Sequence, residues 1–413
     1  MGVSTSRGAL PPKTDVVVIG AGALGASVAW HARREGLSVV LVDCGDLGAG
    51  ATSRAAALLT RARSRPALMP LVARTYEAVA ELERELGEPL GLNRTGTLYA
   101  AASRARVEAL KDLAHLASAA GVAVEWVGPS RAKALAPWLE VDALEACAFM
   151  PEDGFLDPHL LASAYARAAA LDGAVVRSRV EVTGLVVDRG AVTGVATGAG
   201  RVEARVVVLA AGAWSGALAF RHGVSLAMAP VRSQYWITER SPLFPREQPI
   251  AVLPDANVYA RPELGALLFG RRERCSYSVD ARDLGPEGVI PRSDPGGWDA
   301  LIEGGPAFSR LCPVLNDVGI AHHIAGFSTY TPDGMPLIGP VPELGGLLVA
   351  TGCCGAGIAA SGGAGLAVAA LAAGRPPRLD LSAFDPGRFG FVDPFALAFR
   401  ARCERARSSK TSG

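Results

Sequence analysis

The stretch Asp15-Val-Val-Val-Ile-Gly-Ala-Gly-Ala-Leu-Gly25 constrains the fold more than any other part of the 413 residues. Strand-favouring residues run straight into Gly20-x-Gly22-x-x-Gly25, and the residues up to about Glu35 carry a helical pattern. A chain that leaves a strand and enters a helix this quickly needs a tight turn at Gly20. It also needs an open backbone at Gly22 and close strand–helix packing at Gly25. The helix start then offers free N–H groups and the positive end of a dipole to phosphates. A second strand, Ser38 to Val42, ends on Asp43, an acid placed to accept hydrogen bonds from ribose hydroxyls and to repel a 2′-phosphate. Strand, glycine turn, helix, second strand and acid in register predict a βαβ dinucleotide site.

The rest of the chain is large enough for a second unit. Half of its residues are hydrophobic and 20% are charged, so a sizeable core can be buried, and the net charge of +1 gives no electrostatic case for nucleic acid or an acidic membrane surface. Seven cysteines, scattered except for Cys353-Cys354 and never spaced C-x-x-C, argue for reduced thiols in a cytoplasmic protein, without a disulfide framework or metal site. The uncharged run Gly345 to Gly374 is too glycine-rich for a lipid-facing span. It reads as a strand (Leu347 to Thr351), a glycine turn and a small-residue helix.

Along the chain, helical stretches (Ala67 to Leu86, Arg104 to Ala120) give way to Val-rich hairpin patterns over Val175 to Val208 and strand-like runs over Val231 to Phe269. The expected fold class is therefore α/β: a doubly wound nucleotide-binding domain assembled from discontinuous segments, with an inserted β-rich α+β substrate domain. The expected segments are 14–90, 150–222 and 322–380 for the first domain and 91–149 and 223–321 for the second. Residues 1–13 and 402–413 are expected to be flexible tails.

Three further segments repeat the theme of backbone open to a ligand. Gly48-Ala-Gly-Ala-Thr52-Ser53-Arg54 follows the second strand and suits a second pass along a pyrophosphate; an ordinary capped helix start is the alternative. Val206 to Ser215 and Leu347 to Gly357 are strands ending in small residues. Three such strand ends exceed what a nicotinamide cofactor requires and suit a longer dinucleotide laid across the sheet. The last also precedes a helix, whose start can stabilise negative charge on a reduced flavin.

Taken together, GAGALGASVAW, GAGATSRAAALLT, PEDGFLDP, VVVLAAGAWS, TPDGMPLIG and LLVATGCCGAGIAASGGAG resemble the D-amino-acid-oxidase-like flavoproteins, from about Thr14 to Gly374. That group includes sarcosine oxidases and dehydrogenases, glycine oxidase and dimethylglycine dehydrogenase. The resemblance implies FAD, a Rossmann-like domain carrying a β-rich substrate domain, and oxidation of a C–N bond. Carried over by position, Gly20, Ala21, Gly22, Leu24, Gly25 and Asp43 would hold the ADP half, with Thr52, Ser53 and Arg54 along the pyrophosphate and Val182 at the adenine. Ala211, Gly212 and Trp214 would line the middle, while Asp333, Gly352, Cys353, Gly355, Gly357 and Ile358 would surround the ribityl chain and flavin.

Departures from the pattern are informative. Relatives that attach flavin covalently use a His one residue beyond the position of Arg54, here Ala55, or a Cys at the position of Gly326, so the FAD is expected to be non-covalent. The Arg, His and Lys with which relatives hold the substrate are replaced by Ser328, Gly355, Ala356 and Ala359, and the lysine placed for oxygen activation by Leu268. Substitutes must therefore be sought. Tyr259 and Arg261 share one face of a strand, where Arg261 could grip a carboxylate; a surface or interface arginine is the competing account. His322 and His323 lie on a strand before the TPD motif, and one of them, His323 being the catalytic candidate, should face inward unless it is structural. Arg61 and Arg63 could flank the flavin or form a solvated basic turn.

These readings converge on hydride transfer from the carbon α to a neutral amine nitrogen, giving an imine that water hydrolyses. The expected partners are a small amine, most simply an amino acid or N-alkyl amino acid, and O2 or an electron carrier as acceptor. The alternatives are a FAD-bearing subunit or assembly factor with structural flavin, and an NAD(P)H-linked flavin monooxygenase or dehydrogenase.

Overall fold

A computed structural model describes residues 9–285 and 295–410. Lys13–Ile19 (β1) leads through the glycine turn into Ala23–Arg34 (α1) and on to Val39–Val42 (β2), with Val16, Val17, Val18 and all of β2 buried. β1 pairs in parallel with β2 on one side and Gly200–Leu209 on the other. Leu347–Thr351 extends the parallel sheet beyond Gly200–Leu209, and Val175–Arg177 extends it beyond β2. Near-continuous Val/Leu runs form these strands because both faces of the sheet are covered.

Helices gather on one face. α1 lies among Met69–Leu86, Pro158–Leu171 and Ser361–Ala372 around a single apolar core. The small-residue helix Ser361–Ala372 is small because it is wedged between two others. A Cβ at Gly365 would meet Ser27 of α1, and one at Gly362 would stand 2.6 Å from Thr75 Cα. Close helix packing accounts for its composition, and among the described residues no helix is long and apolar enough to cross a membrane. The antiparallel strands Val182–Asp188 and Ala191–Thr197, paired with Gly200–Leu209, are among the elements that cover the other face.

A second eight-stranded sheet runs Ile320–Tyr330, Ala229–Thr238, Ala266–Arg271, Val258–Glu263, Ile250–Leu253, Thr97–Ala101, Ala146–Met150 and Glu125–Val127, antiparallel except where Ile250–Leu253 meets Thr97–Ala101. Its outer face packs Trp236 and Phe269 under the helix Pro295–Leu311, which contributes Phe308 to the same core. Its inner face turns Tyr235, Tyr259 and Leu268 toward Ala56 of the first unit. Two sequence expectations change here. Strand 320–330 pairs along its length with Ala229–Thr238, so residues 322–330 belong with the second sheet rather than the first. The stretch from 402, expected as a flexible tail, continues a helix, Leu397–Ser408, that buries Cys403 and Arg407 against the second sheet. Of the other expected tail, residues 1–8 lie outside the described residues, and Lys13 already belongs to β1.

Candidate functional site

The glycine turn is held by backbone. Gly20 has φ of +102°, and a Cβ on it would stand 2.5 Å from the Ala210 carbonyl oxygen; a Cβ on Gly25 would collide with the Gly20 carbonyl. Gly22 differs, since a Cβ there would meet only Thr52 Oγ1, at 3.1 Å. Gly22 caps α1 with no side-chain hydrogen bond of its own, so this helix start keeps its cradle open. Ala21 is buried, and Leu24 packs on the helix-side core. The Asp43 carboxylate accepts from Ala21 N (2.7 Å) and Gly45 N (2.8 Å), tying the end of β2 to the turn; burial raises its pKa and these two amides counter the shift.

The other carried-over positions converge on this turn. Thr52 Oγ1 accepts from Ala23 N at 3.1 Å, and Ser53 Oγ donates to Ala49 O at 3.1 Å. Asp43 exchanges backbone bonds with Arg177 and Val180, which bring Val182 alongside. Ala210 N donates to Ile19 O, and the turn Gly212–Trp214 follows; Trp214 Nε1 donates to Gly285 O at 3.1 Å, and its ring lies near Gly50. Thr351 Oγ1 donates to Gly212 O at 3.3 Å, so the ends of three parallel strands open onto one line. At the far end, burial would raise the Asp333 pKa, but Arg388 (2.9 Å) and the Met335 amide (3.0 Å) outweigh it and lower the value. In the final loop, Gly352 (φ +61°) and Gly355 (φ +74°) take left-handed conformations, Cys353 Sγ lies 3.0 Å from where a Gly357 Cβ would stand, and Ile358 is buried.

Arg54 explains one departure. Its Nη1 donates to Ala49 O and to Gly50 O, and its side chain crosses Gly326, where a Cβ would stand 2.7 Å from Arg54 Cδ. A cysteine at 326 would have to displace that arginine.

The three candidates for substrate chemistry fare differently. Tyr259 lies on the inner face, its ring across Gly270. Arg261 lies on the same face but is committed elsewhere: Nε donates to Ala56 O (2.8 Å), Nη1 to Pro262 O (2.9 Å) and to Glu263, and the guanidinium sits 4.9 Å from the Phe155 ring centroid. It acts as a buried tie between the two units, its charge balanced by Glu263. His323 is a correction. It stacks on Trp236 (centroids 5.5 Å apart) and contacts Gln234 at 2.9 Å, on the outer, helix-covered face. His322 is exposed. Neither histidine joins the site.

The structure assembles a cationic group that sequence reasoning missed or set aside. Arg63 is 2% exposed, and the interactions of its guanidinium extend to Tyr99, Asp153 and Tyr76. Arg272 continues the inward alternation Leu268-x-Gly270-x-Arg272 and interacts electrostatically with Tyr259, Tyr330 and Tyr99. Lys410, just past the helix Leu397–Ser408, donates from Nζ to Cys354 O at 3.1 Å in the final glycine loop. Arg63, Tyr330, Cys354, Ala356 and Lys410 line one cavity of about 330 Å³, within the size of small-ligand sites. Burial, reinforced by Arg272 and Arg63, pushes the Lys410 pKa down to about 7, and burial pushes the Tyr330 hydroxyl up to about 12. Strand alternation alone could have flagged Arg272; nothing local distinguishes Lys410. Among the described residues no cluster of His, Cys, Asp and Glu could hold a metal ion.

Comparison with known proteins matches residues 15–371 to a family model described as FAD dependent oxidoreductase. Sarcosine dehydrogenase, mitochondrial, of Homo sapiens is 34% identical over 391 residues, covering 92% of this chain and 42% of that protein. The chain thus spans less than half the length of that relative. Glycine oxidase of Geobacillus kaustophilus is 29% identical over 383 residues, covering 90% of this chain and 96% of that protein. The crystal structure of L-proline dehydrogenase from P. horikoshii superposes with a TM-score of 0.82 at 26% identity, over 92% of this chain and 98% of that one.

Proposed function

Because the chain belongs to the FAD-dependent oxidoreductase family, with FAD as its cofactor, we propose that it oxidises the C–N bond of a small amino acid or N-alkyl amino acid. The observation that carries this reading is the cavity walled by Arg63, Tyr330 and Lys410 against the final glycine loop. Concentrated positive charge beside a flavin loop suits a substrate with a carboxylate next to its amine.

In this reading the open backbone at Gly22, the Asp43 carboxylate and the Thr52–Arg54 loop hold the ADP half, and the strand ends at Ala211, Gly212 and Gly352 to Ile358 hold the rest. Val182, Trp214 and Asp333 border it. The residues fit such a group: α1 starts on a glycine that supplies no side-chain cap, with Thr52 Oγ1 reaching the first helical amide, and the three strand ends leave backbone facing it. The Arg54 side chain lying across Gly326 supports non-covalent attachment. FAD when bound accepts the hydride from the carbon bearing the amine. The protein's part is to orient that carbon and exclude water, with Tyr259 and Leu268 roofing the inner face. Leu268, 1% exposed, puts no cation at its own position, where the family resemblance sets an oxygen-activating lysine, and this favours an electron carrier over O2 as acceptor. All seven cysteines are unbridged, as suits a reducing cytoplasm.

The test is anaerobic mixing of the yellow protein with a panel of amino acids, N-methyl amino acids and simple amines, following loss of the flavin absorbance. Amino acids should bleach it and amines without a carboxylate should not. Equal bleaching by both classes, or bleaching by NAD(P)H alone, would overturn the reading.

A further inference from the structure

The final glycine loop has a vacancy in its own sequence and a cation from elsewhere filling it. A side chain at Gly355 would start 2.9 Å from the Tyr330 hydroxyl and 3.3 Å from Lys410 Nζ. The space beside the loop is therefore taken by a lysine 56 residues further along the chain than Cys354. That lysine is held in place from below. Arg407, one turn earlier, is 4% exposed, donates to Ser276 Oγ at 3.0 Å and lies 3.6 Å from the buried Glu273. Ser278 N and Oγ both donate to Glu404 of the same helix. So the helix is anchored to the second sheet by Glu404 and Arg407, which aims the residues after it at the cavity.

We propose that Lys410 is a substrate-binding residue, which with Arg63 and Arg272 receives the carboxylate of the amino-acid substrate. This rests on the function proposed above and assigns the role of carboxylate ligand to a residue outside the motifs that define the family match, which ends at residue 371. The groups facing Lys410 are Arg63 and Arg272 from the first unit and second sheet, Tyr330 from the strand Ile320–Tyr330, Cys353 and Cys354 from the loop, and Asp333 beyond them. Asp333 is paired with Arg388, and burial keeps Tyr330 and Cys354 in their neutral forms up to about pH 12. Asp153, the buried carboxyl beside Arg63, titrates near pH 6, so above pH 7 Lys410 governs the pH dependence of anion binding in this cavity.

The sign follows directly. Only protonated Lys410 attracts a carboxylate, and without ligand it loses its proton near pH 7. Affinity should therefore fall as pH rises above 7, approaching tenfold per pH unit.

The experiment uses the FAD-loaded protein and propionate as probe, reading the dissociation constant from the perturbation of the flavin absorbance between pH 6 and 9. Wild type should bind more weakly above pH 7. Lys410→Met should bind roughly ten- to a hundred-fold more weakly at pH 6 and lose the pH dependence. Lys410→Arg should retain binding and stay flat, because its charge does not titrate in this range. Flavin content and thermal midpoint should match wild type in both variants. An unchanged dissociation constant and pH profile in Lys410→Met, in a protein that amino acids do reduce, would overturn this inference alone. Failure of every amino acid to reduce the wild-type flavin would overturn the proposed function and this inference with it.

Discussion

The two halves of the site are built from different materials. The cradle at β1 and α1 is largely backbone: Gly20 and Gly25, which leave no room for side chains, an open Gly22 that supplies no side-chain cap, and amides that fix Asp43. The cavity at Arg63 and Lys410, with Arg272 acting on it electrostatically, is side chain: long cationic groups drawn from three separated segments and meeting tyrosines from others. A backbone cradle recognises what every dinucleotide shares, a pyrophosphate and a ribose. It is rigid because it lies at the end of a sheet whose central parallel strands are buried where they meet it. A side-chain cavity can be rebuilt one residue at a time without disturbing the sheet, so the part that discriminates among substrates is the part that departs from the family pattern.

The largest effect should come from Gly25→Val, whose Cβ would collide with the Gly20 carbonyl. Loss of both folded protein and flavin is expected, visible as insoluble expression. Soluble, fully yellow protein would show that the turn is not backbone-limited. Gly22→Val separates fold from cofactor. Thr52 is its only near neighbour, so circular dichroism should stay native while bound FAD drops below about a tenth of wild type. If that variant keeps its flavin, the cradle has been placed wrongly.

On the other side of the comparison, Arg261→Ala should behave as a structural change. Losing the ties to Ala56 and Glu263 should cost about 2 kcal/mol in urea unfolding, with the carboxylate preference of the enzyme intact. A stable variant that has lost carboxylate preference would restore Arg261 as the substrate clamp.

The smallest effect concerns Asp153, which is fully buried beside Arg63. Burial pushes its pKa up to about 6, against the Arg61 amide and the Arg63 and Arg61 charges that lower it. A folded-state pKa above the unfolded value of 3.8 means the folded protein holds the extra proton. This contribution is therefore present at low pH and lost between about pH 4 and 6 as the carboxyl ionises. Asp153→Asn should flatten the urea midpoint across that window relative to wild type. Parallel profiles would mean that the arginines neutralise Asp153 throughout.

Legibility in the sequence followed the same division. Gly20, Gly22, Gly25 and Asp43 could be read because backbone requirements repeat at fixed short spacings, and the strand Leu347–Thr351 and helix Ser361–Ala372 were legible from residue size. Residues of the cavity meet across hundreds of positions, and no local period records that meeting. Alternation placed Tyr259 and Arg261 on the correct face, yet could not show that Glu263 would take up the charge of Arg261. It left open which of His322 and His323 faced inward, and the stacking of His323 on Trp236 puts it on the outer face. The stretch after Arg402 read as a tail because its arginines look solvated in one dimension, whereas Arg407 is buried against Ser276 and Glu273.

That helix also fixes an order of events during synthesis. The glycine cradle leaves the ribosome early, and Lys410 follows it by roughly 385 residues, on the order of 20–80 seconds at ordinary elongation rates. Leu347–Thr351 completes the parallel part of the first sheet about 60 residues before Lys410, so for roughly 3–12 seconds a nascent chain has that sheet while one wall of the cavity does not yet exist. The flavin thus meets a trough lacking one wall in the unfinished protein and a cavity walled by Lys410 in the finished one, so loading during translation and loading after release should differ in rate.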